Sequence, residues 1–329
     1  MSGSLRTVKE ITPRILLFTC VVLACGRLSA QTNVWQPSPG HKQVPIWPGA
    51  IPDAQPVPGS EAVLSNADWV VADKPFAFVV NVSQPTLTVY SPKGLNSGVA
   101  VVVFPGGGYN ALAIDLEGTE ICDWLNSKGI TAVLLKYRVP TKPKVGPYSE
   151  SPQALEDAQR TLGLVRFHAA EWHIDPHKIG VIGFSAGGHM VAATSTHFDK
   201  RAYPSVDAAD KESCRPDFAI ALYPGHLSPF HHDNPDSWKH ENQLEINPNI
   251  IVTSNTPPTF LLQAQNDPVD DIRNSMAYSL ALRNANVPVE LHLYAVGGHG
   301  FGLRPTKFPI TEWPALVEKW LRTSGITSE

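Results

Sequence analysis

The chain has 329 residues, 43% of them hydrophobic and 17% charged, with a formal net charge of −4. That is enough apolar material for one large core. The negative balance argues against nucleic acid or an anionic membrane surface as a partner. Of four cysteines, Cys20 and Cys25 fall in the first thirty residues. Cys122 and Cys214 remain, too few for a disulfide framework.

The N-terminus reads as a secretory leader over residues 1–30. Arg6, Lys9 and Arg14 form a basic segment, residues 15–24 (ILLFTCVVLA) a short apolar one, and Leu28-Ser29-Ala30 a small-residue cleavage site before Gln31. The expected location is therefore secreted or periplasmic. A looser reading takes Val22-Leu23-Ala24-Cys25 as a lipobox with a lipid anchor on Cys25; no other membrane attachment is expected. Removing the leader takes basic side chains from 26 to 22 and acidic ones from 30 to 29, a net −7.

Residues 31–60 are rich in Pro, Gly and Gln without periodicity, and predict an extended arm anchored by Ile46 and Trp47. The main domain is expected over 61–329. Its first β-rich runs, 78–82 and 86–90, are separated by Ser83-Gln84-Pro85 and predict an antiparallel pair at a sheet edge. Residues 99–104 (VAVVVF) are continuously apolar, as a strand buried on both faces requires. A helix is expected over 117–128, a strand over 131–136 and a long helix over 151–172, with one apolar stripe. A strand at 179–184, a helix from 186, and strands at 218–223, 259–263 and 289–294 follow. Helices are expected over 274–284 and 313–321. Between the strands at 218–223 and 259–263, residues 224–258 are expected to form a loop-rich, lid-like insertion. Strands alternating with helices mean a mostly parallel sheet covered on both faces. About eight strands in this order predict the α/β-hydrolase fold.

The chemistry centres on Gly183-Phe184-Ser185-Ala186-Gly187. Strand, tight Gly-x-Ser-x-Gly turn and helix are the setting of a serine nucleophile held at a sharp elbow. Such a serine needs a base, an orienting acid and an oxyanion site. Asp267 and His299 each follow the end of a buried strand, in the chain order this fold uses. Asp267 is the first choice of acid; Asp270 is the alternative, and Asp271 is expected to cap the next helix. The oxyanion donors are expected to be the backbone N–H groups of Ala186 and of the Pro105-Gly106-Gly107-Gly108 loop, at Gly107 and Gly108. Tyr109, Asn110 and His226 are candidates for lining the substrate pocket. His226, His231, His232, Asp233 and His240 lack strict metal-ligand spacing. Serine chemistry needs no metal or other cofactor, and none is expected.

Four stretches carry a family resemblance: Phe104-Pro105-Gly106-Gly107-Gly108-Tyr109, Leu135-Lys136-Tyr137-Arg138-Val139, Gly183-Phe184-Ser185-Ala186-Gly187-Gly188-His189, and Gly297-Gly298-His299-Gly300-Phe301-Gly302-Leu303-Arg304. They resemble the secreted bacterial α/β-hydrolases related to acetylxylan and feruloyl esterases, the BD-FAE type. The resemblance runs from about Val44 to the C-terminus and includes Trp47-Pro48-Gly49 and Asp157-Ala158-Gln159-Arg160. It implies hydrolysis of small acyl esters that decorate plant polysaccharides, acetyl or feruloyl groups on xylan or a related carbohydrate, with triad roles on Ser185, Asp267 and His299. Asp270-Asp271 departs from the pattern, since many relatives have Val-Pro there. Some relatives are labelled xylanases, but backbone cleavage needs two carboxylates flanking a sugar, and no such pair stands out. The competing expectations are a peptidase of prolyl-oligopeptidase type and a non-catalytic carbohydrate-binding scaffold. The short segment before the first strand leaves no room for the gating domain of the former.

Overall fold

The computed structural model describes residues 34–140, 151–229 and 244–328. The expected leader with Cys25, and His231, His232, Asp233 and His240, lie outside them. In chain order the strands and helices are β1 (Gln43–Pro45), β2 (Ala62–Val71), β3 (Lys74–Val80), β4 (Thr86–Tyr90), β5 (Ala100–Phe104), β6 (Ala111–Leu112), α1 (Glu120–Ser127), β7 (Thr131–Lys136), α2 (Pro152–Phe167), β8 (Ile179–Phe184), α3 (Ala186–Thr196), β9 (Ala219–Leu222), β10 (Thr259–Ala264), α4 (Arg273–Asn284), β11 (Val289–Tyr294) and α5 (Trp313–Thr323).

The continuously apolar runs form the centre of an eight-stranded sheet ordered β1-β4-β7-β5-β8-β9-β10-β11. Strands β5, β7, β8, β9 and β10 are buried at every residue, which is why they lack polar alternation. The edge strand β11, VELHLY, is only half buried and carries Glu290 and His292. From β7 through β11 every pairing is parallel; β4 runs antiparallel to both β1 and β7. Two helix layers cover the sheet. Helices α1 and α5 meet through Trp124 and Trp313, whose rings are 5.1 Å apart, and α2 packs on α3. This is the α/β-hydrolase fold.

One expected pairing is overturned. Residues 78–82 and 86–90 do not pair with each other. Asn81 takes a left-handed conformation, φ 56°, which ends the strand. Val82 then bridges to Val139. Strand β3 pairs instead with β2 and β6 in a separate three-stranded sheet, and β4 pairs with β1. The expected long helix is also shorter, because the residues after Phe167 continue as turns.

The N-terminal segment is held by a buried polar cluster. Ile46 and Trp47 are buried. Trp47 Nε1 donates to Asp157 Oδ1 at 2.9 Å, and the Ile46 carbonyl accepts from Arg160 Nε at 2.9 Å. Arg138 donates from Nε to both Asp157 oxygens, at 3.0 and 2.9 Å, and from a terminal nitrogen to Glu156 at 2.8 Å. Arg160 also pairs with Asp207 and Asp210, and Arg166 with Asp217. A cavity of about 270 Å³, lined by Ile51, Val57, Val82 and Arg138 among others, lies beside this cluster and shares no lining residue with the Ser185 turn. Asp157 is fully buried, so its removal leaves Arg138 with Glu156 as its one remaining carboxylate in this cluster and takes the acceptor from Trp47 Nε1. Asp157→Ala is expected to destabilise the fold by about 3–5 kcal/mol, read by urea denaturation; a loss below about 1 kcal/mol would mean the cluster does not anchor the arm.

Cys122 and Cys214 are both buried free thiols. No helix among the described residues is long and apolar enough to cross a membrane.

Candidate active site

The parallel register brings the chemistry-bearing loops to one sheet edge. Phe104 is level with Gly183, Phe184 with Leu222, and Ala264 with Tyr294. The glycine loop, the Ser185 turn, Tyr223, the Asp267 loop and the His299 loop therefore all begin just beyond strand C-termini, where open α/β sheets hold ligands.

Ser185 sits between β8 and α3 with φ 54° and ψ −120°, a conformation that side chains avoid. The turn is too tight for anything but glycine on either side. A Cβ at Gly183 would lie 2.1 Å from the Gly187 carbonyl oxygen, and one at Gly187 would lie 2.1 Å from that of Phe104. Backbone bonds hold the turn in place: Ser185 N–H donates to the Leu222 carbonyl at 3.1 Å, and its own carbonyl accepts from Gly225 N–H at 3.3 Å. The Ser185 hydroxyl makes no hydrogen bond to another described residue. Ala186, the first residue of α3, presents its N–H at the helix N-terminus, where no intrahelical acceptor exists.

The glycine loop is set by its carbonyls. The Gly106 carbonyl accepts from Ala113 N–H at 2.9 Å, and the Gly107 carbonyl from the N–H groups of Asn110 and Ala111, at 3.0 and 3.1 Å. In a trans peptide the N–H points opposite to the C=O. The N–H groups of Gly107 and Gly108 are thereby turned out of this local turn, and neither donates to another described residue. Gly106 N–H is already committed, to Glu117 Oε2 at 2.8 Å. The loop lies against the serine, since a Cβ at Gly106 would sit 3.0 Å from Ser185 Cβ.

His299 follows the edge strand β11, three strands away from β8. Three spacings of about 4.8 Å have to be recovered, and the loop does so by folding back across the sheet edge. The His299 ring lies 4.9 Å from that of Tyr223, and the Phe301 ring 4.6 Å from it. His299 Nδ1 bonds Asp267 Oδ2 at 2.8 Å. The other Asp267 oxygen accepts from Val269 and Asp270 N–H at 2.9 and 3.0 Å. Asp270 lies on the opposite ring edge, its Oδ2 3.9 Å from His299 Nε2. Of the two candidate acids, Asp267 thus holds the Nδ1 side. Asp271 accepts from Arg273 N–H at 2.9 Å, at the start of α4. Burial lowers the pKa of His299, but the Asp267 carboxylate and its hydrogen bond outweigh this. With Asp270 and Glu117 adding in the same direction, the pKa is pushed up to about 9.

The profile of the BD-FAE family matches residues 87–226. Two curated relatives are an acetylxylan esterase of Xylanibacter ruminicola, 31% identical over 63% of this chain and 42% of its own length, and an endo-1,4-β-xylanase B of Butyrivibrio fibrisolvens, 30% identical over 63% and 33%. The chain spans less than half the length of these two relatives. Among solved structures, an acetyl ester-xyloside bifunctional hydrolase from Caldicellulosiruptor lactoaceticus superposes with a TM-score of 0.62 at 31% identity, over 87% of this chain and 97% of that one. The chain belongs to the acetylxylan/feruloyl-esterase-like α/β hydrolases.

Three residues of this hydrolase that motif reading missed tie the site together. Asn266 Oδ1 accepts from Gly297 and Gly298 N–H, at 2.8 and 3.0 Å, and so joins the Asp267 loop to the His299 loop. Tyr223 closes an apolar strand at its C-terminal end, the criterion that singles out Asp267 and His299, and could have been found by it. Glu117 is an acid buried beside Leu116 and Gly118; that setting was its only signal.

The pocket candidates divide. Tyr109 is buried, with its hydroxyl bonded to His189 Nδ1 at 2.6 Å, and so packs rather than offering a polar group. Burial lowers the His189 pKa to about 4, which keeps that ring neutral. Asn110 is exposed but folds back, its Nδ2 donating to the Gly108 carbonyl at 2.9 Å. His226 is half buried, its ring 6.0 Å from that of Tyr109 and 5.7 Å from that of His189.

Proposed function

We propose that this chain is a serine carboxylic ester hydrolase that removes small acyl groups, acetyl or feruloyl, from xylan or a related carbohydrate. The observation that carries the reading is the 2.8 Å bond between His299 Nδ1 and Asp267 Oδ2 at the same sheet edge as the strained Ser185 turn. Asp267 orients the imidazole and stabilises its cation, leaving Nε2 to take the Ser185 proton. Ser185 Oγ attacks the acyl carbonyl, and the N–H groups of Gly107, Gly108 and Ala186 receive the oxyanion. The imidazolium returns its proton to the departing sugar oxygen. Water, activated by the same ring, then releases the acid from the acyl-serine. The carbohydrate substrate rests on the similarity to the acetylxylan esterase and the acetyl ester-xyloside hydrolase. A leader removed before Gln31 would put the enzyme outside the cytoplasm, where such polymers are met.

The test is hydrolysis of p-nitrophenyl acetate, followed by acid release from acetylated and from feruloylated xylan. Turnover of the chromogenic ester and of one of the two polymers is expected. No activity on p-nitrophenyl acetate would overturn the esterase reading. Activity on that ester with none on either polymer would overturn the substrate.

A further inference from the structure

Behind the glycine loop lies a buried carboxylate that the mechanism above does not use. Glu117 is 3% exposed and lies in a single π-helical turn, Asp115–Thr119, a rare irregularity that recurs at functional sites. One carboxylate oxygen, Oε2, accepts from Gly106 N–H at 2.8 Å; the other, Oε1, accepts from the Tyr223 hydroxyl at 2.8 Å. That hydroxyl in turn accepts from Gly302 N–H at 3.2 Å, and the Gly302 carbonyl accepts from Trp313 Nε1 at 2.8 Å. The Tyr137 hydroxyl holds the Pro105 carbonyl from the other side, at 2.5 Å.

We propose that Glu117 is the positioning residue that locks the oxyanion loop and the histidine loop into one register. The inference rests on the esterase reading. Two donors from different loops converge on one buried point, and a carboxylate is the side chain with two acceptor oxygens and no donor to conflict with either. Through Gly106 it sets the peptide preceding the oxyanion donors. Through Tyr223 it sets the ring on which His299 and Phe301 pack. A carboxylate there also adds to the negative charge around the His299 ring. Glu117 touches no reacting atom in this scheme. Its contribution is to keep donors and base in place while charge develops, where a misplacement near 1 Å can cost about 10²-fold.

The experiment uses active-site titration, so that poorly folded protein does not count. Wild type, Glu117→Ala, Glu117→Gln and Tyr223→Phe are labelled to completion with a fluorophosphonate. The kcat for p-nitrophenyl acetate is then expressed per labelled serine, at a pH above the histidine titration. Glu117→Ala is expected to lose about 10²-fold in kcat per labelled serine, with KM changed far less and with the labelling rate falling in parallel. Glu117→Gln keeps one acceptor and should recover part of the loss. Tyr223→Phe, which keeps the ring and deletes the hydroxyl, should lose less than Glu117→Ala. If Glu117→Ala lowers the thermal midpoint and the labelled fraction but retains wild-type kcat per labelled serine, the residue is merely structural and the proposal fails. Should Glu117→Ala not fold, equal kcat per labelled serine in wild type, Glu117→Gln and Tyr223→Phe has the same consequence. Failure of wild type to label or turn over would instead sink the esterase reading itself.

Discussion

Ser185→Ala is expected to lower kcat on the order of 10⁴-fold or more, and Ser185→Gly to do the same while leaving the protein more stable than the alanine variant. In the proposed mechanism the loss follows from removing the atom that attacks the acyl carbonyl; the remaining oxyanion donors and the idle histidine would act on substrate without a nucleophile. The stability difference follows from the backbone. At φ 54° and ψ −120° a residue with a Cβ carries strain of about 1–3 kcal/mol, and alanine keeps that Cβ. Glycine releases it, and its extra freedom in the unfolded chain takes back roughly 0.5–1 kcal/mol. A net advantage of glycine over alanine on the order of 1 kcal/mol is expected. Steady-state kinetics and urea denaturation of the two variants measure both effects. Equal stability would mean the elbow stores no strain, and residual activity within tenfold of wild type would remove Ser185 from the mechanism.

The second large effect separates the two acids. Asp267→Asn leaves a similar shape but pairs Nδ1 with an amide that does not hold the required tautomer, and a fall of roughly 10⁴-fold in kcat is expected. Asp270→Asn should behave in the opposite sense. Its carboxylate faces Nε2 at 3.9 Å and helps hold the imidazole protonated, with the pKa at about 9. Only the neutral ring accepts the serine proton, so kcat/KM of wild type should rise with pH until about 9. At pH 7 the neutral form is on the order of one per cent. Removing the Asp270 charge shifts this titration to lower pH, so the variant should be several-fold more active than wild type at pH 7 and comparable to it above the titration. If Asp270→Asn is as inactive as Asp267→Asn, the assignment of the acids is wrong. The same titration has a stability consequence. With the folded-state pKa raised from 6.5 to about 9, the protonated ring stabilises the fold fully below the lower value. That contribution is lost as pH rises through the higher one.

These expectations differ in how far they can be read from the chain. The Ser185 turn was legible because strand, glycines and helix are contiguous, and contiguity is what local sterics acts on. Asp267 and His299 were legible because the loops that follow the C-terminal ends of parallel strands share one sheet edge whatever the details of packing. The continuous apolar runs identified the central strands for the same reason: a strand covered on both faces leaves no place for polar alternation.

Other features depended on distance in the chain. The pairing of β3 with β2 rather than β4 turned on one left-handed residue, Asn81, that no period reveals. Trp47 and Asp157, separated by 110 residues, are one contact only after folding. Asp267 and Asp270 lie three residues apart on the same loop, and only the fold put one at Nδ1 and the other facing Nε2. Glu117 is a carboxylate in an apolar stretch until the Gly106 N–H and the Tyr223 hydroxyl converge on it. The sequence by itself determined the fold and the candidate residues that its loops bring to one sheet edge, because local sterics and apolar runs act over short spans. The tertiary structure alone decided which acid faces which nitrogen and what braces the oxyanion loop, because hydrogen bonds between loops depend on ångström distances that spacing along the chain does not encode.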